Sequence, residues 1–205
     1  MNTLTKILIA GTCSLAALCN GHAAAAVGQA APDFTLTDFS GQQRALSDFK
    51  GKTVVLEWVN PECPFVVKHY DKSGNSPKTQ QAATAAGVVW LQINSAHSGA
   101  QGDYDAAQVA GWQKRNAVAA TAYFRDQDGK VGKLYDARTT PHLYVIDGGG
   151  TLVYAGGIDD IRSSKVADIA KANNLVHAAL ADLKAGRAVR TARSQPYGCA
   201  VKYAD

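Results

Sequence analysis

One stretch, residues 53–70, TVVLEWVNPECPFVVKHY, restricts the chain more than any other. Its β-branched run Thr53-Val54-Val55-Leu56, followed by Trp58 and Val59, reads as a buried strand. The strand breaks at Asn60-Pro61, Cys63 follows, and Pro64 opens a helix-compatible segment. Proline suits the first turn of a helix, where its missing N–H has no partner to lose. Cys63 is therefore expected where a buried strand hands over to a helix. Unpaired amides and the positive end of the helix dipole would favour its thiolate there. Two readings of Cys63 stand side by side: a reactive thiol, or a small buried hydrophobe.

The start of the chain sets the compartment. Lys6 precedes an apolar run over 7–19, and Ala23-Ala24-Ala25 fits a small-residue cleavage site. Residues 1–25 are expected to be a secretory signal peptide. Bulky Leu18 before Cys19 speaks against a lipidated cysteine. The protein is thus expected to be periplasmic or secreted, meeting the membrane only through the export signal. Cleavage leaves roughly 180 residues, enough for one domain. The basic residues behind the net charge of +4 are scattered, so nucleic-acid binding is not expected.

Of the four cysteines, Cys13 and Cys19 leave with the signal, and Cys63 and Cys199 remain. In an oxidising space the pair could form a reversible disulfide, form a static staple, or stay unpaired. A static bridge would close a very long loop, worth about 4–5 kcal/mol at most.

Along the chain, residues 30–50 read as a hairpin around Ser40-Gly41. A helix is expected from Ser76 as N-cap with Pro77 at its first position, ending at Gly87. Further strands are expected over 88–93, 121–124 and the end of 139–147, with a hairpin partner over 151–155 after Gly148-Gly149-Gly150. Helices are expected over 103–116, 130–137 and 173–184. Strand–helix alternation followed by a hairpin and a closing helix is an α/β pattern, and the handover at Cys63 implies a parallel neighbour strand. Function then belongs at the carboxyl end of the central strand.

These residues resemble the thioredoxin-like superfamily over nearly the whole mature chain. Within it they look most like the redoxin branch, the alkyl hydroperoxide reductase/thiol-specific antioxidant group, and its exported peroxiredoxin-like subfamily. VVLEWVNPECPF, TTPHLYVID and GGGTLVYAGGIDD carry the resemblance. It implies a thioredoxin-like fold: a central mixed β-sheet flanked by helices, with an N-terminal β-hairpin extension. The domain would span 26–186, followed by a tail, 187–205, carrying Cys199.

By the same resemblance, Cys63 aligns with the first cysteine of C-x-x-C and serves as nucleophile. Pro141 would be the cis proline, with the Thr140 backbone facing Cys63 and pairing with a bound substrate strand. Glu57 matches a buried acid that relays protons; a raised pKa would let it act as general base, and a purely structural buried acid is the alternative. The second cysteine of C-x-x-C is missing, because Val66 stands there. Leu56 and Asn60 replace the proline and Ser/Thr of the peroxiredoxin pattern, and Pro141 stands where the peroxide-activating arginine belongs, with Arg138 off register. Peroxide cleavage needs such groups, so peroxidase activity is the weaker expectation.

The expected function is an exported thiol-based oxidoreductase with Cys199 as a mobile resolving thiol, acting in disulfide exchange or antioxidant defence. Its partners would be a protein or small-molecule disulfide or peroxide and an envelope thiol reductase; no cofactor or metal is expected. The alternative is a redox-inactive or copper-binding module, with Cys63, His69, His142 and Cys199 as soft ligands. In that comparison His69 is taken as a helix-surface residue and His142 as a strand residue.

Overall fold

A computed structural model describes residues 24–204. The expected signal peptide, residues 1–25, lies outside them except for residues 24 and 25. The apolar run becomes β3, Val54–Trp58, buried along its whole length. Side chains alternate across a strand. Val54, Leu56 and Trp58 accordingly enter one core with Phe124, Tyr135 and Tyr144, while Val55 enters another with Trp90, Leu143 and Val176.

Burial on both faces requires cover on both faces. The sheet that supplies it runs β5–β4–β3–β7–β8. Here β4 is Val89–Asn94, β5 Ala122–Arg125, β7 His142–Ile146 and β8 Leu152–Gly156. β3 is parallel to β4 and antiparallel to β7, so the expected parallel neighbour is present in a mixed sheet. Helices α1 (Pro64–His69), α2 (Asn75–Ala85), α3 (Ala106–Arg115), α4 (Lys130–Leu134) and α5 (Leu175–Lys184) surround it. The expected N-terminal hairpin forms from β1 (Thr35–Thr37) and β2 (Gln43–Ala45). This is a thioredoxin-like α/β architecture. Among the described residues no helix is long and apolar enough to cross a membrane.

One local expectation needs correction. α2 starts one residue before Ser76, capped by Gly74 at φ +62°, so Ser76 lies inside the helix and is buried. A left-handed turn after α1 requires the glycine and moves the start.

The larger correction concerns the chain end. It is a docked segment, not a mobile tail. The Ala155 amide donates to the Ala192 carbonyl at 3.1 Å, and Ser194 returns a bond to Ala155 at 3.1 Å. Tyr197 joins the second core. Strand β9, Cys199–Ala200, then pairs antiparallel with β6, Thr139–Thr140. Polarity suggested looseness, but backbone pairing and one buried aromatic hold the segment whatever its other side chains.

Candidate active site at the strand–helix junction

After Trp58 the chain turns through Asn60-Pro61-Glu62. The Cys63 amide donates to the Asn60 carbonyl at 3.0 Å, and the Asn60 side chain accepts from the Glu62 amide at 2.9 Å and donates to the Gln101 carbonyl at 2.9 Å. Asn60 thus fixes the loop that delivers Cys63. As expected, Cys63 is the residue just before α1, and Pro64 opens the helix.

Its sulfur, however, does not cap α1. The thiol donates to the Thr140 carbonyl oxygen at 2.9 Å and is 1% exposed. With proline at the first helical position one amide is absent, and the nearest strong acceptor comes from across the sheet. The Thr140–Pro141 bond is cis. Thr140 is thereby shared: its carbonyl faces Cys63, and its backbone lies opposite Cys199 in the β6–β9 register.

Cys199 is half-buried and packs on the cluster of Val59, Cys63, Val66 and Tyr70. Both cysteines are free thiols. Burial first, and then the adjoining Cys63 sulfur, push the Cys199 thiol up to about 12, so it stays protonated at neutral pH. Gly198 makes this approach possible. Its φ is +148°, and a Cβ there would drive into the Thr140 carbonyl oxygen. Gly198→Ala is expected to destabilise the protein by about 1–3 kcal/mol and to loosen β9. Urea unfolding checks the first effect and the alkylation rate of Cys199 the second.

Of the expected site residues, Cys63, Thr140, Pro141 and Cys199 are brought together, but the Thr140 backbone expected to pair with a substrate strand is paired with the chain's own β9. Glu57 is not hydrogen-bonded to them. It is fully buried, and Tyr70 donates to both its oxygens at 2.7 Å, Trp90 Nε1 to Oε2 at 2.8 Å, and Gln80 to Oε2 at 3.1 Å. Burial raises its pKa, and the donors oppose that rise only in part. Arg138 points to solvent and pairs with Asp136 at 2.6 Å.

His69 corrects an expectation: it is fully buried, not at a helix surface. His142 lies in β7 as expected, its Nδ1 near the Arg138 amide and 3.1 Å from the Tyr144 hydroxyl. Neither histidine joins the two sulfurs, and among the described residues no three His, Cys, Asp or Glu side chains are grouped to hold a metal.

A further cluster was not foreseen. Lys68 and His69 are fully buried, with Asp159 and Tyr197 beside them. Tyr197 donates to Asp159 Oδ1 at 2.5 Å; His69 Nε2 lies 3.2 Å from the Tyr197 oxygen; Lys68 Nζ lies 3.7 Å from Asp159 Oδ2 and donates to the Ser163 carbonyl at 2.9 Å. The one available signal was Lys68-His69 continuing the apolar face of a short helix; nothing local marks Asp159.

A family model described as AhpC/TSA family matches residues 27–155. Thiol-disulfide oxidoreductase ResA of Geobacillus kaustophilus (strain HTA426) is 44% identical over 54 residues, a match spanning 23% of this chain and 31% of that relative. A hypothetical protein of Sinorhizobium meliloti 1021 superposes with a TM-score of 0.72 at 26% identity, over 87% of this chain and 95% of that one. A putative thiol:disulfide interchange protein DsbE from Chlorobium tepidum shares the fold, with a TM-score of 0.50 at 22% identity over 64% and 85% of the two chains.

Proposed function

From the premise that the chain belongs to the AhpC/TSA family, we propose that it is an exported thiol–disulfide oxidoreductase with Cys63 as nucleophile and Cys199 as resolving thiol. One observation carries the reading: the two cysteines left after signal removal meet at a single backbone residue, Thr140. In the reduced protein Cys63 loses its proton and attacks one sulfur of a substrate disulfide. The substrate S–S bond breaks, one substrate thiolate leaves, and a mixed disulfide forms on Cys63. Cys199 then attacks the Cys63 sulfur. The second substrate thiol departs and a Cys63–Cys199 disulfide remains. Two electrons have passed to the substrate, whose two thiolates take up the protons released by the two cysteines. An envelope thiol reductase would return the electrons.

Two features favour disulfide over peroxide chemistry. Arg138 is committed to Asp136 in solvent, so it supplies no cation for a peroxide. Leu56 and Asn60 stand where the peroxidase pattern has other groups. Export rests on the signal-like first 25 residues.

The test is a trapping experiment. Cys199→Ser, incubated with insulin and quenched with acid, is expected to accumulate a mixed disulfide through Cys63, resolved as a mass shift. Full turnover by this variant with nothing trapped would remove Cys199 from the cycle. Hydrogen peroxide consumption by the wild type with dithiothreitol is expected to stay near the background rate; turnover at the rate of disulfide reduction would overturn the choice of substrate class.

A further inference from the structure

The cluster of Lys68, His69, Asp159 and Tyr197 has no part in the thiol chemistry just described, yet it touches both ends of it. Phe65, Lys68 and His69 all lie on α1, the helix that Cys63 begins. Tyr197 stands two residues before Cys199. Its ring meets Phe65 edge to face at 5.8 Å, and Lys68 Nζ sits 5.7 Å from its centroid. We infer that Tyr197 is a positioning residue. Seated on Asp159 and His69, it fixes Cys199 against Cys63 and so sets the effective concentration of the resolving thiol. The inference rests on the oxidoreductase reading above.

The hydrogen bonds in the cluster run in one direction. The Asn75 side-chain nitrogen Nδ2 lies 2.9 Å from His69 Nδ1. An amide N–H donates there, so Nδ1 accepts and Nε2 carries the proton, an assignment made from the network. Nε2–H then faces the Tyr197 oxygen, and the Tyr197 hydroxyl donates to Asp159. Burial, with the neighbouring Lys68 charge, lowers the His69 pKa to about 3, consistent with a neutral ring. Asp159 is itself held, its Oδ1 accepting from the Ile161 amide at 3.1 Å. The anchor therefore has one preferred geometry.

Little slack separates anchor and thiol. A single residue, Gly198, lies between them, and two residues span at most about 7 Å. Gly198 is pressed on the Thr140 carbonyl, and on the far side the Val201 amide donates to the Arg138 carbonyl at 3.1 Å. Cys199 is thus pinned from both sides, with the tyrosine as its N-terminal fixture. Small displacements between reacting groups change rates and equilibria strongly.

Tyr197→Phe removes only the hydroxyl and keeps the ring on Phe65. The Cys63–Cys199 equilibrium is measured against glutathione buffers in the full chain, alongside far-UV circular dichroism. The effective concentration of the pair is expected to fall about ten- to hundredfold, the scale of one hydrogen bond to a buried carboxylate, and Cys199 is expected to alkylate faster. A folded variant whose equilibrium stays within about twofold of wild type, below the scale of that hydrogen bond, overturns the inference.

A wild-type chain that forms no such disulfide at any glutathione ratio overturns the oxidoreductase reading, and this inference with it. If Tyr197→Phe does not fold, Asp159→Asn keeps the side-chain shape and is expected to move the equilibrium in the same direction. Hydrogen exchange of the wild type needs no variant: the Val201 amide is expected to be strongly protected, and free exchange there means the strand is not pinned and sinks the inference.

Discussion

Cys63→Ser loses insulin-disulfide reduction by a factor on the order of 10³ or more, the scale on which removal of a nucleophile acts, while the protein stays folded. Serine fits the site. The residue is 1% exposed and spends its side chain on one hydrogen bond to the Thr140 carbonyl, which a hydroxyl also makes. What disappears is the thiolate, because a serine hydroxyl does not ionise near neutral pH and forms no disulfide. Cys199 is a poor substitute, its thiol held protonated by burial and by the adjoining sulfur. The measurement is the rate of insulin reduction with dithiothreitol, beside a urea unfolding curve that shows the variant intact. Wild-type activity in the folded variant would take Cys63 out of the nucleophile role.

Glu57→Ala is expected to destabilise the protein by about 2–4 kcal/mol, from a new cavity and from stranded donors. Trp90 Nε1–H and the Tyr70 hydroxyl lose their acceptor together, and both residues are buried. Glu57→Gln keeps the volume and isolates the charge.

The pH dependence has a definite sign. Burial raises the folded-state pKa of Glu57 above its ordinary value of 4.5. As pH rises through 4.5 the unfolded chain gives up this proton while the folded chain keeps it, so the folded state binds more protons. Stability from this group is complete below 4.5 and falls as pH climbs through the raised folded-state value. The difference in unfolding free energy between wild type and Glu57→Gln should therefore shift against the wild type over that interval. A flat difference would contradict the raised pKa. A Glu57→Gln protein that kept its stability but lost disulfide exchange would assign Glu57 to proton relay, as the resemblance implied.

The two sites were not equally legible. The strand run before Asn60-Pro61, and Pro64 after Cys63, announced a strand, a break and a helix start, because each signal acts within a few residues of its effect. Thr140-Pro141 announced itself through a motif. Glu57 was readable as a buried acid through the resemblance, but its oxygens are taken by Tyr70, Gln80 and Trp90, residues from three other parts of the chain that nothing in the strand names. His69 looked like a surface residue because its one-turn neighbourhood carries no sign of Asp159 or Tyr197. The polar composition of residues 187–205 suggested looseness, yet the described part is held by main-chain bonds to β6 and β8, which are indifferent to side-chain polarity.

By itself the sequence determined the sheet's central strand, the cysteine at its end and the hairpin around Gly148-Gly149-Gly150, since apolar periodicity, proline and glycine act locally on the backbone, while the cis proline was read from the resemblance. The resemblance implied that the Thr140 backbone faces Cys63; only the tertiary structure decided that Cys199 stands opposite Thr140 and that Tyr197 is seated on Asp159. Those outcomes depend on which backbone edges pair between distant parts of the chain, and edge pairing is set by the packing of the whole sheet, which no short stretch encodes.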